Sequence, residues 1–419
     1  MSSFAIPLSG LEASSNALNV IANNLANLNT DGFKDQTLTF GDVFAQIQGA
    51  SGNGDPIQIG GGVQVDSTVS NFSNGGVDST GVAANMALQG NGFFVVSNNG
   101  NTSYTRDGDF SVNSAGQIED ANGDLVMGYQ ANAAGQIEAG GALGAISVNS
   151  TATLPAQATT SFSTTTNLQA GSAAGTTFST PLAIVDSLGV TQNLTINYTA
   201  GATPNTWNYT VTLPASATGG TAATTLTSGT MTFNSSGNLE STTPAETAAG
   251  TLTGIKITGL ADGAAPMNLT WNLNSSPGTP TITQQDSASA TTATDVSGYA
   301  SGTLTGFSVL SNGTVEGTFS NNQTLALGQV VVANFANPEG LTQGSNGSFQ
   351  ATTASGAAVV GVAGDGGNGT ITGGAVEESN VDLSTEFSNM IVAQQSYEAN
   401  AKALTTLNQV SQATIQMIS

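Results

Sequence analysis

The stretch most suggestive of chemistry is Asp120-Ala121-Asn122-Gly123-Asp124, because D-x-N-x-D opens a calcium-binding loop. Such a loop needs glycine in its sixth place and glutamate in its twelfth. Leu125 and Ala131 stand there, so the segment reads as a hairpin turn. Gly364-Asp365-Gly366-Gly367-Asn368-Gly369 hints at a glycine-rich calcium turn, but it occurs once where such turns come in tandem, and it reads as a loop. Gly90-Asn91-Gly92 lacks the third glycine and the following helix of a dinucleotide site. Arg106 sits beside Asp107 and Asp109, where a local ion pair in a turn is expected. No cluster of acids is flanked by the aromatic residues a sugar-cleaving site would want.

Composition closes most other routes. The 419 residues contain no cysteine and no histidine, which removes the usual zinc sites, cysteine nucleophiles and Ser-His-Asp triads. Only 7% of residues are charged, 27 acidic against 4 basic, for a net charge of −23. An ordinary soluble domain carries about 25%. Lys34, Arg106, Lys256 and Lys402 are too few to neutralise a run of phosphates, so neither nucleic acid nor a basic membrane-surface contact is expected. No run of 18 apolar residues is long enough to span a membrane. The start, MSSFAIPLSGL, has no cationic leader region, so export would proceed without a standard cleaved signal. No enzyme activity, cofactor or metal is expected.

The elements that hold these residues fall into two kinds. Both ends read as helices, and everything between reads as strands and turns. Ser9-Gly10-Leu11-Glu12 fits a capping box. From there Leu11, Ser14, Leu18, Ile21, Leu25 and Leu28 form a narrow heptad seam, with Gly32 as a stop. Asn16, Asn19, Asn23, Asn24 and Asn27 each disfavour that helix by about 0.5–0.7 kcal/mol relative to alanine, so neighbours must support it, with the amides bonding across packed helices. A second helix is predicted over about 383–418, capped by Asp382 with Glu386 in its first turn. Its seam runs Leu383, Phe387, Met390, Tyr397, Ala401, Leu404, with Gln394 at one inner position and a stutter after Leu404. An intramolecular helical hairpin would satisfy both seams. Their position at the extreme ends of a β-rich chain favours packing between copies.

Between the helices, short alternating segments recur from about 57 to 375. Asn99-Gly100 marks a tight hairpin between Phe93–Val96 and Thr102–Thr105. A unit of turn glycine, polar residue, aliphatic and glutamate recurs at Gly116, Gly135, Gly237 and Gly313. From 139 to 294 charge nearly vanishes and threonine dominates. The predicted fold class is mainly β with terminal α-helices: a discontinuous multi-domain chain with a coiled-coil-like terminal helix pair and two nested all-β domains. The expected boundaries are 1–30 with 378–419 for the helical domain, 31–71 for a linker or extended hairpin, 72–150 with 296–377 for a middle β domain, and 151–295 for an inserted one.

These residues resemble the bacterial flagellar axial proteins, the family of rod, hook and hook-junction subunits. The likeness rests on Ser9-Gly10-Leu11 through Ala22-Asn23-Asn24-Leu25-Ala26-Asn27 to Thr30-Asp31-Gly32-Phe33-Lys34, on Gln89–Val96 with Gly92 and Phe93, and on Tyr104–Phe110. It continues in Glu378-Ser379-Asn380-Val381-Asp382-Leu383 and Gln394–Lys402. Pro181–Gly189, Trp207-Asn208-Tyr209 and Leu325–Phe335 leading to Pro338-Glu339-Gly340-Leu341 resemble the hook branch, which carries a large insertion that rod proteins lack. Asn85 departs from the aspartate common in the family at that place. The resemblance implies a self-assembling, curved and flexible extracellular tube joining rod to filament as a universal joint. The terminal helices would form its innermost layer, with the middle and inserted β domains outside. Implied partners are copies of the chain itself, a rod protein and a hook–filament junction protein at the two ends, and a hook cap and the flagellar export apparatus during assembly. The seam residues Leu11, Leu18, Ile21, Leu25, Leu28, Leu383, Phe387, Met390, Tyr397 and Leu404 would lie between copies.

Overall fold

The structure, a computed structural model, describes residues 4–44, 46–50, 56–149, 151–247, 250–275 and 278–418. The chain divides into two compact units, one of residues 1–150, 306–318 and 324–419, the other of 151–305 and 319–323.

In the first unit a sheet runs in the order Thr314–Phe319, Thr324–Asn334, Leu125–Gln130, Phe93–Asn98, Asn101–Thr105, Ser348–Gln350, Thr342–Gln343. Two of its central strands carry unbroken apolar runs, Phe93–Val96 and Val330–Ala333, for a geometric reason. Successive side chains point to opposite faces, and both faces are covered. Phe94, Val96, Val330 and Val332 enter one core with Met86, Leu88, Phe110 and Ile118. Phe93, Val95, Val331 and Ala333 enter another with Tyr104, Phe335 and Phe349. There Phe93 meets Phe72 and Phe335 edge-on, at 5.3 and 5.8 Å between ring centres.

The second unit is a sandwich. One sheet orders Thr177–Val185, Thr191–Ala200, Thr206–Leu213, Thr224–Phe233 and Leu239–Thr243 as an antiparallel meander. The other is centred on Ser161–Gln169, which pairs in parallel with Met267–Asn272 and Ile282–Gln285 and antiparallel with Ala290–Val296. A single core takes side chains from both sheets, including Trp207, Trp271, Tyr198, Tyr209 and Phe162. Strand Thr191–Ala200 alternates cleanly, with Leu194, Ile196 and Tyr198 inward. Threonine fills many outward places because its β-branched side chain suits a pleated surface without adding charge.

One turn explains the punctuation. At Asn113, Asp120, Asn132, Asp186 and Asn234 the side-chain Oδ1 accepts hydrogen bonds from the backbone amides two and four residues on. The residue three places on is glycine, whose amide donates to the carbonyl of the first. The Asp120 loop is one of these hairpin turns. No group of three or more acids among the described residues is arranged to hold a metal. Asn99-Gly100 is the expected two-residue hairpin, with Asn98 opposite Asn101 and φ of 50° and 87° at its centre.

The C-terminal helix spans Leu383–Ile418, with the Asp382 carboxylate accepting from Thr385 N at 2.7 Å. The N-terminal helix departs from expectation. It spans Ala5–Ala26 and has no side-chain cap. Pro7, whose missing N–H costs nothing where the first-turn amides are free anyway, starts it upstream of Ser9. Ser9 is therefore inside the helix and no capping box forms. Its Oγ donates to Ile6 O and accepts from Val63 N. No helix among the described residues is long and apolar enough to cross a membrane.

Candidate functional site

The terminal helices lie side by side and antiparallel, Gly10 against Asn400 at one end and residues 32–33 bonded to 377 and 380 at the other. What faces the partner helix is a stripe of small residues, not leucine. Ala13 and Ser14 are buried there with Ile21, and a Cβ on Gly10 would stand 2.7 Å from the Asn400 amide. On the C-terminal helix, Glu386 and Ala393 turn inward.

The predicted seam residues flank this contact. Ile21 is buried, whereas Leu11, Leu18, Leu25, Met390 and Leu404 are half-buried, as is Leu28, which lies beyond the helix end. Leu383, Phe387 and Tyr397 are exposed. The helix asparagines do not bond across the pair as expected. Asn27 bonds back to Asn23, and buried Asn24 acts as a strand residue, donating to Gln36 O at 2.8 Å and accepting from Gln36 N at 3.0 Å. It thereby starts strand Gln36–Asp42, which pairs with Val63–Ser70 as a hairpin along the helices.

Helices, hairpin and β sheet meet at one buried carboxylate. Glu377 Oε1 accepts from Lys34 Nζ at 2.7 Å, from Gly75 N at 2.9 Å and from Asn74 Nδ2 at 3.3 Å. Its Oε2 faces Arg106 Nη1 at 3.4 Å. All three charged side chains are at most 2% exposed. Burial holds the Lys34 ammonium and the Arg106 guanidinium below their usual pKa ranges, and the Glu377 charge opposes that shift. Arg106 also donates to Gly90 O and lies over the Phe93 ring. The expected local pair with Asp107 and Asp109 is thus corrected. Asp107 instead accepts from Asp109 N, while the guanidinium points into the core toward a residue 271 positions away.

Around this ion cluster the chain crosses itself closely. Gly32 N donates to Glu377 O at 2.7 Å, with φ of +67°. A Cβ there would lie 2.5 Å from Asp107 N. Phe33 is buried beside it. Asn380 Oδ1 accepts from Asp35 N at 2.7 Å, and its Nδ2 donates to Asn71 O at 2.8 Å. Burial, reinforced by the negative charges of Asp109, Asp31 and Asp120, pushes the Asp107 carboxyl up to about 6.

Four family profiles match this chain. They are the flagella basal body rod protein profile over residues 6–34, the flagellar hook protein D1 domain over 87–167, the flagellar basal body protein D2 domain over 149–299 and the flagellar basal body rod protein C-terminal profile over 372–417. The flagellar hook protein of Salmonella typhimurium is 35% identical over 422 residues, covering 97% of this chain and 98% of its own. The chain belongs to the flagellar hook protein family. The Escherichia coli hook protein is 34% identical over 97% of this chain, and that of Borreliella burgdorferi 31% over 98%. The crystal structure of a Helicobacter pylori hook protein shares the fold, with a TM-score of 0.50 at 13% identity, covering 70% of this chain and 98% of that one.

In this member of the hook protein family, residues 24, 32, 33 and 380 converge on the junction, while Asn23 is exposed at the helix end and Leu25 flanks it. Phe93 opens the strand beneath Arg106, with Gly92 just before it. Asn85 is buried and donates to Thr80 Oγ1 at 3.1 Å. Sequence reasoning missed Glu377. Both cations that it meets have acids beside them in the sequence, Lys34 with Asp31 and Asp35 and Arg106 with Asp107 and Asp109, which hid the need for a distant partner.

Proposed function

We propose that this chain is the structural subunit of a flagellar hook, polymerising with itself into a curved, flexible extracellular tube that joins rod to filament. Residues 1–30 and 378–419 form the inner layer, 72–150 and 296–377 the middle, and 151–295 the outer surface. Its ends meet a rod protein and a hook–filament junction protein. A hook cap and the flagellar export apparatus serve it during assembly, and it has no catalytic role. The observation that carries this reading is the apolar side the helix pair leaves outward, where Phe387, Ile391 and Val392 are 50%, 54% and 62% exposed. Water-facing surface of that kind is stabilised by burial against another copy. The nearly uncharged outer segment suits a joint, because contacts without buried ion pairs can slide in small energetic steps, whereas breaking a buried pair costs about 3–5 kcal/mol.

Negative-stain microscopy of the purified chain tests it. Curved tubes are expected, and Leu18→Asp or Leu404→Asp should abolish them. Straight tubes would indicate a distal rod protein instead, and an absence of tubes from the unaltered chain would overturn the reading.

A further inference from the structure

A cleft of about 560 Å³ opens between the two terminal helices and the hairpin, lined by Ala17, Val20, Phe40, Val392, Ala393 and Glu386 among others. Most of its wall is apolar or small. One polar group in the wall is unsatisfied: Glu386 is 4% exposed, and its Oε2 has no hydrogen-bond partner. A cleft of this kind left facing water forfeits apolar burial that a second surface filling it would recover.

The chain carries a segment of matching chemistry elsewhere on its surface. With Gly10 opposite Asn400 and the helices antiparallel, Ala5 stands opposite about residue 405. The C-terminal helix runs on to Ile418, so roughly a dozen residues, about 20 Å at the helical rise, pass beyond the N-terminal helix. That overhang presents Val410, Ile415 and Met417 at 58%, 64% and 82% exposure. Its exposed Asn408, Gln409 and Gln412 supply amide donors. From Ala399 to Ile418 the single charge is Lys402, in a chain of net −23, so this stretch brings no acid toward Glu386.

We infer that the cleft is the seat for the C-terminal helix overhang of a second copy of this chain. The inference rests on the self-assembly proposed above and specifies its contact. Overhang and cleft are different patches of one protomer, so the interface is head-to-tail. Repeated without ring closure, such a contact generates an open helical polymer.

The absence of cysteine gives a clean test. A Val392→Cys chain and an Ile415→Cys chain are mixed, polymerised and treated with a short bis-maleimide. A covalent dimer is expected in several-fold higher yield from the mixed polymer than from either variant alone. As an independent measurement, a peptide of residues 403–418 should slow elongation of the unaltered chain, while a scrambled peptide should not. Tubes that form without excess dimer overturn this inference and leave the proposed function standing, and so does an inert peptide where either variant fails to assemble. Failure of the unaltered chain to form tubes overturns the proposed function itself.

Discussion

Replacing Glu377 by glutamine keeps the side chain's shape and an acceptor for Gly75 N while removing its charge. Arg106 then remains cationic in the core, because a guanidinium does not release its proton. Lys34, already pushed toward neutrality by burial, either loses its proton or stays charged beside it. With both cations at most 2% exposed, water does not screen the loss. Breaking a buried ion pair by removing one partner costs about 3–5 kcal/mol, which for a unit of this size lowers the melting midpoint by about 10 °C. The two units are read separately. Trp207 and Trp271 both belong to the sandwich, so tryptophan fluorescence follows that unit, while far-ultraviolet ellipticity follows the terminal helices. The ellipticity midpoint should fall and the fluorescence midpoint stay. Lys34→Met combined with Glu377→Gln should destabilise less than the two changes summed, by about 1 kcal/mol or more. An ellipticity shift below about 2 °C, or strict additivity of the two variants, would refute the reasoning.

Asp107 predicts a pH effect of the opposite kind. An acid whose folded pKa is raised from 3.8 to about 6 binds its proton more tightly in the folded state, so the contribution of this group to stability is greatest below pH 4 and is lost as pH rises through 6. Asp107→Asn should be neutral at pH 4 and stabilising by up to about 3 kcal/mol at pH 7, read from urea midpoints across that range. A difference that stays constant with pH would overturn the assignment. Gly32→Ala places a Cβ against the backbone of residues 106 and 107 at a positive φ. It should cost about 2–4 kcal/mol and reduce helical ellipticity. Unchanged ellipticity and urea midpoint would mean that the junction yields at that point.

Local chemistry was the legible part. Asn99-Gly100, the Asp382 cap, the long C-terminal helix and the mainly β class between terminal helices all depend on residues close in sequence, where propensity and periodicity act directly. The N-terminal helix start was misread because Ser9 and Glu12 mimic a cap, while the element that uses Ser9, the Val63 amide, is 54 residues away. Within one chain Gly10, Ala13 and Ser14 lie toward the C-terminal helix, because close approach of two backbones rewards small side chains, and Leu11, Leu18 and Leu25, expected between copies, stay half-buried beside that contact. The asparagine or aspartate three places before Gly116, Gly123, Gly135, Gly189 and Gly237 is visible as a fixed spacing, but its role as acceptor for two amides appears only in the folded turn. Arg106 was assigned to its neighbours because proximity in sequence is all that a sequence displays.

Glu377 also closes one of the longest loops among these contacts. It follows Lys34 by 343 residues, and closing an unstructured loop of that length carries an entropic cost of about 5 kcal/mol. Folding of the intervening β structure brings the two positions together and removes most of that cost. A chain that stops short of residue 377 leaves Lys34 and Arg106 without their counter-charge and holds its first helix only through the hairpin, by Asn24 to Gln36 and Ser9 to Val63. One carboxylate thus ties the beginning of the chain to its end.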